Sequence, residues 1–308
     1  MPTLYITHAD CLGHAPFEGH PERPARLEAI WKKLEDAKFD ALQREDAIVA
    51  APEAAALAHP ETYVERIADL APAEGIVGID ADTAMSPGSW RAALLAVGAA
   101  KRSVDAVMSG EATNAFCAIR PPGHHAEHDR AMGFCLFNNA AIAAAYARAE
   151  YGAERLAIID FDVHHGNGTQ DIFWNDRNVF YGSTHQMPLY PGSGAIRETG
   201  AGNIFNAPLR PGSGSDYFRM AMEERILPAL ENFAPDLIVI SAGFDAHTRD
   251  PLADIHLQDE DFGWITGRLM DIADRRCEGR IVSLLEGGYD LQGLAGGVAA
   301  HVGQLMQA

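Results

Sequence analysis

RLAIIDFDVHHGNGTQ (155–170) sets an apolar run, Leu156 to Ile159, directly before Asp160, Asp162, His164 and His165. A short run that is apolar on both alternate faces suits a strand covered by helices on two sides. The runs around Val239 in LIVISAGFD (237–245) and Leu284 in RIVSLLEGGY (280–289) share that pattern, and LYITH (4–8), AFCAIR (115–120) and VFYGSTH (179–185) are further strand candidates. Helical patterns separate these runs, over 21–37, 60–70, 89–109, 138–150, 215–233, 259–277 and 293–306. Such alternation predicts an α/β protein with a mostly parallel central sheet and helices on both faces, a three-layer arrangement. No Ser-, Pro- or charge-rich linker divides the chain and no repeat is visible, so 1–308 reads as one domain. The Gly-rich YPGSGAIRETGAGN (190–203) is the longest stretch without periodicity, and a loop of that length is usually functional.

Polar clusters close four of these runs: Gly123-His124-His125, Asp160 to His165, Asp245 and Tyr289. In an open α/β sheet the carboxyl ends of the strands share one edge, where ligands bind. If the strand over 155–164 continues to its end, Asp160, Asp162 and His164 point to one side by simple alternation. Carboxylates that close together in a buried place cost several kcal/mol each unless a cation offsets them. Asp162 and His164, with Asp245 from a neighbouring strand, make a donor set that suits zinc in an open catalytic site. An Asp/His pair in a surface turn is the competing reading of the motif. Adjacent histidines seldom ligate one metal, so His124 and His125 suit proton transfer, with Asp160 holding one ring in a fixed tautomer. The Tyr289 hydroxyl could donate to a developing oxyanion, the two glycines before it permitting close approach; ordinary core packing is the alternative.

The bulk numbers narrow the partners. A formal charge of −19, from 43 acidic against 24 basic side chains, argues against nucleic acid, whose binding rests on clustered Lys and Arg. It is compatible with a cationic substrate, and also with simple solubility. Cys11, Cys117, Cys135 and Cys277 form no CxxC pair, so a reducing cytoplasm is expected rather than a disulfide framework. MPTLYITHAD shows no basic start or apolar segment of a signal peptide, and no run approaches the ~20 apolar residues of a membrane span.

Together these residues resemble the histone deacetylase family, which includes the acetylpolyamine amidohydrolases and shares the arginase-type fold. RPPGHHA (120–126), GFCLFNNAAIAA (133–144), DFDVHHGNGTQ (160–170), YPGSGAIRETGAGN (190–203), SAGFDAHTRDPL (241–252) and EGGY (286–289) stand in the family's order. With HPERPARLEAI (20–30), the likeness covers nearly the whole chain as one catalytic domain. The resemblance implies one catalytic zinc on Asp162, His164 and Asp245, positions that could also accept iron. It implies His125 as general base, His124 as its electrostatic partner paired with Asp160, and Tyr289 as the group polarising the acetyl carbonyl. Structural potassium ions are implied near Asp160, Asp162, His164, Ser183 and Thr184, with a weaker position near Phe173, Asp176 and Val179. Gly133, Phe134 and Tyr190 match the family's acyl-lysine tunnel.

Two departures bear on function. Asn167 stands where class I enzymes carry Asp, in the class II manner, so it can orient His125 without charge. Leu252 stands near where polyamine-selective relatives place an acidic gatekeeper, which favours acyl-lysine in a peptide or protein over an acetylated polyamine. Rim loops such as 10–22 and 78–90 would hold further selectivity. An acetylpolyamine or other small-amide amidohydrolase, a non-hydrolytic acyl-lysine binder and an arginase-like dinuclear manganese hydrolase are the alternatives, in that order. Oligomeric state is left open, a homo-oligomer included.

Overall fold

A computed structural model describes residues 2–308. The strands are β1 (Thr3–Thr7), β2 (Gln43–Asp46), β3 (Val77–Gly78), β4 (Ala84–Met85), β5 (Asn114–Ala118), β6 (Leu156–Asp160), β7 (Val179–Gln186), β8 (Ile204–Leu209), β9 (Leu237–Ala242) and β10 (Ile281–Leu285). The helices are α1 (Ala25–Lys33), α2 (Glu61–Asp69), α3 (Ser89–Met108), α4 (Asn139–Tyr151), α5 (Asn167–Ile172), α6 (Ser215–Ala221), α7 (Leu227–Phe233), α8 (Asp259–Arg276) and α9 (Leu291–Leu305). Eight strands form one sheet in the order β2-β1-β5-β10-β9-β6-β7-β8, with every neighbouring pair parallel. Among the strands of the described residues, the small β3–β4 pair is the antiparallel one. This is the single-domain α/β architecture expected.

Adjacent residues of β5 show that both faces are covered, because consecutive side chains on a strand point opposite ways. Phe116 meets the His301 ring of α9 with centroids 5.5 Å apart. Cys117 lies on the other face, its Sγ 3.6 Å from the Ala99 carbonyl oxygen of α3. On that side α3 packs against α4; on the opposite side α9 packs against α1 and α8. The helices start where side chains satisfy free N–H groups: Asn138 accepts from Ala141 N at 2.9 Å to open α4. Asp290 accepts from Gln292 and Gly293 to open α9. No helix among the described residues is long and apolar enough to cross a membrane.

The two outer strands were not expected. β2 is QRED, half-exposed, and β8 is IFNAPL, interrupted by Asn206 and Pro208. Edge strands need no doubly apolar run and tolerate proline, so neither carries the pattern of a buried strand. The expected helix over 215–233 is α6 and α7 joined through a π-turn at Met222–Ile226. The strands before the chemical motifs are shorter than expected, ending at Ala118, Asp160, Ala242 and Leu285. The four strands concerned, β5, β10, β9 and β6, are consecutive neighbours at the centre of the sheet. Their carboxyl ends therefore deliver four loops to one place.

Candidate active site

Asp160 is the last residue of β6, so the alignment of Asp160, Asp162 and His164 does not come from strand alternation as expected. It comes from two successive turns in which an Asp accepts from the backbone two residues on. Asp162 N donates to Asp160 Oδ1 at 3.1 Å, and His164 N donates to Asp162 Oδ1 at 2.9 Å. Neighbouring loops are tied to the same turns. Val163 N donates to Asp245 Oδ1 at 2.9 Å, and Gly287 N to Asp162 Oδ2 at 2.8 Å. His164 Nδ1 lies 3.1 Å from Asp245 Oδ2 and 3.3 Å from Asp162 Oδ1.

Asp162, His164 and Asp245 are buried, and one ligand atom of each falls within 4.8 Å of the others. Their electrostatics call for a cation. Asp160, Asp162, Asp245 and Glu286 are 0% exposed, and His124 and His164 are positive groups that favour their charged forms. Burial, aided by the charge of Asp162, pushes Asp245 up to about 7, and burial pushes Glu286 to about 7. Burial would depress His164, but its bonds to Asp162 and Asp245 outweigh that and hold it at about 10. A buried acidic surplus around two carboxylates and one imidazole fits a divalent ion of the zinc type.

His124 and His125 sit in the loop 119–138, longer than the Gly-rich segment that sequence alone marked out. Glu286 anchors this loop: its Oε2 accepts from Gly123 N at 2.7 Å and His124 N at 3.1 Å, while Ser241 Oγ donates to Oε1 at 3.2 Å. His124 Nδ1 lies 3.0 Å from Asp160 Oδ2, which also accepts from the Tyr181 hydroxyl at 3.0 Å. Burial works against a charge on His124, but Asp162, Asp160 and Glu286 overcome it and hold the ring well above the usual histidine value. His125 goes the other way. Burial, reinforced by His124 and His164, holds it well below that value, and its Nδ1 lies 2.8 Å from Asn167 Oδ1. The two rings lie 4.0 Å apart, so opposite charge preferences stand in contact.

A cavity of about 250 Å³ reaches this centre. Gly133, Phe134, Tyr190 and Leu252, the expected substrate-binding residues, line it together with Leu189 and Asp82. His125, His164 and Tyr289 complete its wall. Gly133 and Phe134 both adopt positive φ, 56° and 69°. A Cβ on Gly133 would collide with the His125 ring. The pair, strained at Phe134, is held from the turn between β3 and β4: Gly133 N donates to Asp82 Oδ1 at 3.2 Å and Phe134 N to Thr83 Oγ1 at 3.1 Å. Tyr289 is 8% exposed, and burial keeps its phenol protonated, well above the usual range. The Arg26 guanidinium lies 5.0 Å from the Tyr289 ring centroid, and its Nε donates to Gly288 O at 2.6 Å. Asp250 Oδ2 accepts from Tyr289 N at 2.7 Å.

Sequence reasoning gave no role to Asp82, Thr83, Glu286, Asp250 or Arg26, although the last three lay inside quoted motifs. Of these, Glu286 alone carried a signal, a charged residue within an otherwise buried run. At the expected potassium positions, Asp160 and Ser183 are register partners and, with Thr184, are buried. The carbonyl oxygens of Phe173, Asp176 and Val179 do converge, but on the Asn203 amide, whose Nδ2 lies 2.9, 3.1 and 2.8 Å from them.

The fold with this site is that of a deacetylase domain. It matches the crystal structure of the HDA15 HD domain with a TM-score of 0.94 and 34% identity, covering 99% of this chain and 88% of that one. The histone deacetylase domain model matches residues 20–305, and the chain belongs to the histone deacetylase family. A histone deacetylase-like amidohydrolase of Pseudomonas aeruginosa is 43% identical over 277 residues, 88% of this chain and 73% of that protein. A probable deacetylase of Archaeoglobus fulgidus is 41% identical over 302 residues, 95% of this chain and 83% of the relative. Family membership supports an enzyme of the deacetylase and amidohydrolase type.

Proposed function

We propose that this chain hydrolyses N-acetyl groups from lysine side chains of peptides or proteins, releasing acetate, with one zinc ion held by Asp162, His164 and Asp245. The observation that carries this reading is the continuity of the cavity, from the rings of Tyr190 and Phe134 to His125, His164 and Tyr289. Apolar walls suit the methylene chain of lysine, at roughly 0.8 kcal/mol per buried CH₂. Bound on those three ligands, zinc supplies a Lewis acid that polarises an acyl carbonyl and acidifies water.

The side chains supply the rest. His125, kept neutral, accepts the proton of the attacking water through Nε2 while Nδ1–H donates to Asn167. It then returns that proton to the departing amine. His124, held cationic against Asp160, keeps a positive charge beside His125 and opposes a lasting charge there. The protonated Tyr289 hydroxyl donates to the acyl oxygen as negative charge develops. We also assign potassium to the position formed by Asp160, Asp162, His164, Ser183 and Thr184. At Phe173, Asp176 and Val179 an ion would have to displace the Asn203 amide.

Asp82 on the cavity wall favours a second reading, an acetylated polyamine whose other ammonium it could pair. Leu252 on the same wall offers no such partner and favours acyl-lysine. The deciding experiment compares kcat/KM of the zinc-loaded enzyme for an acetyl-lysine peptide with those for N-acetylputrescine and N-acetylspermidine. A larger value for the peptide is expected. A preference for the polyamines overturns the substrate, and no turnover of any of them overturns the hydrolase reading.

A further inference from the structure

We propose that Glu127 is a positioning residue for His125, acting through the Asn167 amide to fix which imidazole nitrogen carries the proton. The inference rests on the hydrolase reading above, in which His125 is the base. Asn167 is 7% exposed, and its Oδ1 lies 2.8 Å from His125 Nδ1. Its Nδ2 donates to Glu127 Oε1 at 2.7 Å and to Met132 Sδ at 3.3 Å.

The polarity of this chain follows from the donors available. A carboxylate and a thioether can only accept, so the amide must turn its NH₂ toward Glu127 and Met132. That leaves the amide oxygen facing His125. An amide oxygen can also only accept, so His125 Nδ1 must carry the hydrogen and Nε2 keeps its lone pair. Without Glu127 the amide could turn over, offer NH₂ to Nδ1 and move the proton to Nε2, where the ring is no longer a base.

Glu127 is itself held in place, its N donating to Arg130 O at 2.9 Å. It lines a separate cavity of about 320 Å³ with Asn167 and Gln170, and is not on the wall of the cavity that reaches Tyr289. It therefore acts through Asn167 rather than on substrate. The pair also explains why an amide stands at 167: a carboxylate there would face the Glu127 carboxylate at hydrogen-bond distance.

The test is a double-mutant cycle of Glu127→Gln and Asn167→Asp in the zinc-loaded full chain, with kcat and KM measured separately on an acetyl-lysine peptide. Glu127→Gln should lower kcat about tenfold with KM unchanged, since glutamine accepts either amide orientation and the wrong tautomer is a poor base. Asn167→Asp should lower kcat further, because two carboxylates then oppose each other. In the double variant the new amide at position 127 can donate its NH₂ to the new carboxylate at 167, and kcat should recover about tenfold over Asn167→Asp. Losses that simply multiply, or an unchanged kcat in Glu127→Gln, overturn the proposal. The His125 tautomer is read independently by ¹⁵N NMR on histidine-labelled protein, assigned against His125→Ala. A mixture of tautomers is expected in Glu127→Gln. An unchanged Nδ1–H form sinks the proposal whether or not the wild type turns over, whereas a shifted tautomer in an inactive wild type would fault the hydrolase reading alone.

Discussion

His301 and His124 are both buried against the central sheet, 0% and 3% exposed, yet they hold opposite charge states. His301 lies between two neutral hydroxyls, Nδ1 2.6 Å from Thr266 Oγ1 and Nε2 2.8 Å from Ser283 Oγ. The rings of Phe116, Phe161 and Phe244 surround it, and burial alone drives it down to about 3. His124 suffers the same burial, but Asp162, Asp160 and Glu286 reverse its effect. Burial is therefore no guide to the role of a histidine; the charge of its partners is. His301 is a polar spacer in the core, while His124 belongs to a cluster of buried carboxylates.

The comparison breaks first at the acidic cluster. Asp245→Ala should take bound zinc from one per chain to nearly none and turnover to background, measured by elemental analysis and steady-state kinetics. Retained stoichiometric zinc would mean that the ligand set is wrong. His125→Ala and Tyr289→Phe should keep their metal but lose roughly 10²–10⁴ in kcat. Near-normal turnover in either would remove the proton transfer or the oxyanion contact from the mechanism. Circular dichroism should show both variants folded, since neither change opens an unpaired charge, and Tyr289→Phe should melt close to wild type.

The converse holds at His301. His301→Ala should cost about 3 kcal/mol in unfolding free energy, from lost packing and from the Ser283 hydroxyl left without its partner. Thr266 keeps its bond to Phe262 O at 2.6 Å, which limits the damage. Activity per folded molecule should change less than about twofold. A large loss of kcat with stability intact would place His301 in the functional network and dissolve the contrast.

The contrast was only half legible in the sequence. Four of the buried strands announced themselves as short apolar runs that end in polar motifs, three of them apolar on both faces, and the sheet does set those ends side by side. The outer strands β2 and β8 were hidden because an edge strand carries no such run. Asp162, His164 and Asp245 could be read as a metal set from residue type. The turns that align them could not, since short-range backbone hydrogen bonds to Asp side chains leave no periodicity. Glu286 and Asp82 were missed for another reason. Each acts on backbone N–H groups of a loop distant in sequence, at Gly123 and Gly133, and only the folded sheet edge brings them there.

The smallest effect tests the contrast through pH. His301 is depressed to about 3 from an ordinary value near 6.5. Above pH 6.5 neither folded nor unfolded chain protonates it, so its full contribution to stability is present. As pH falls below 6.5 the unfolded chain takes up a proton that the folded chain refuses, and stability falls by up to about 1.4 kcal/mol per pH unit until about pH 3. His301→Ala lacks that proton site in both states. The gap in unfolding free energy between wild type and His301→Ala should therefore narrow by about 2 kcal/mol between pH 7 and pH 5. Measuring the difference cancels the titration of the acidic cluster, which both proteins share. A constant gap would mean that the folded core accepts a charged His301, and the two histidine sites would then differ in degree rather than in kind.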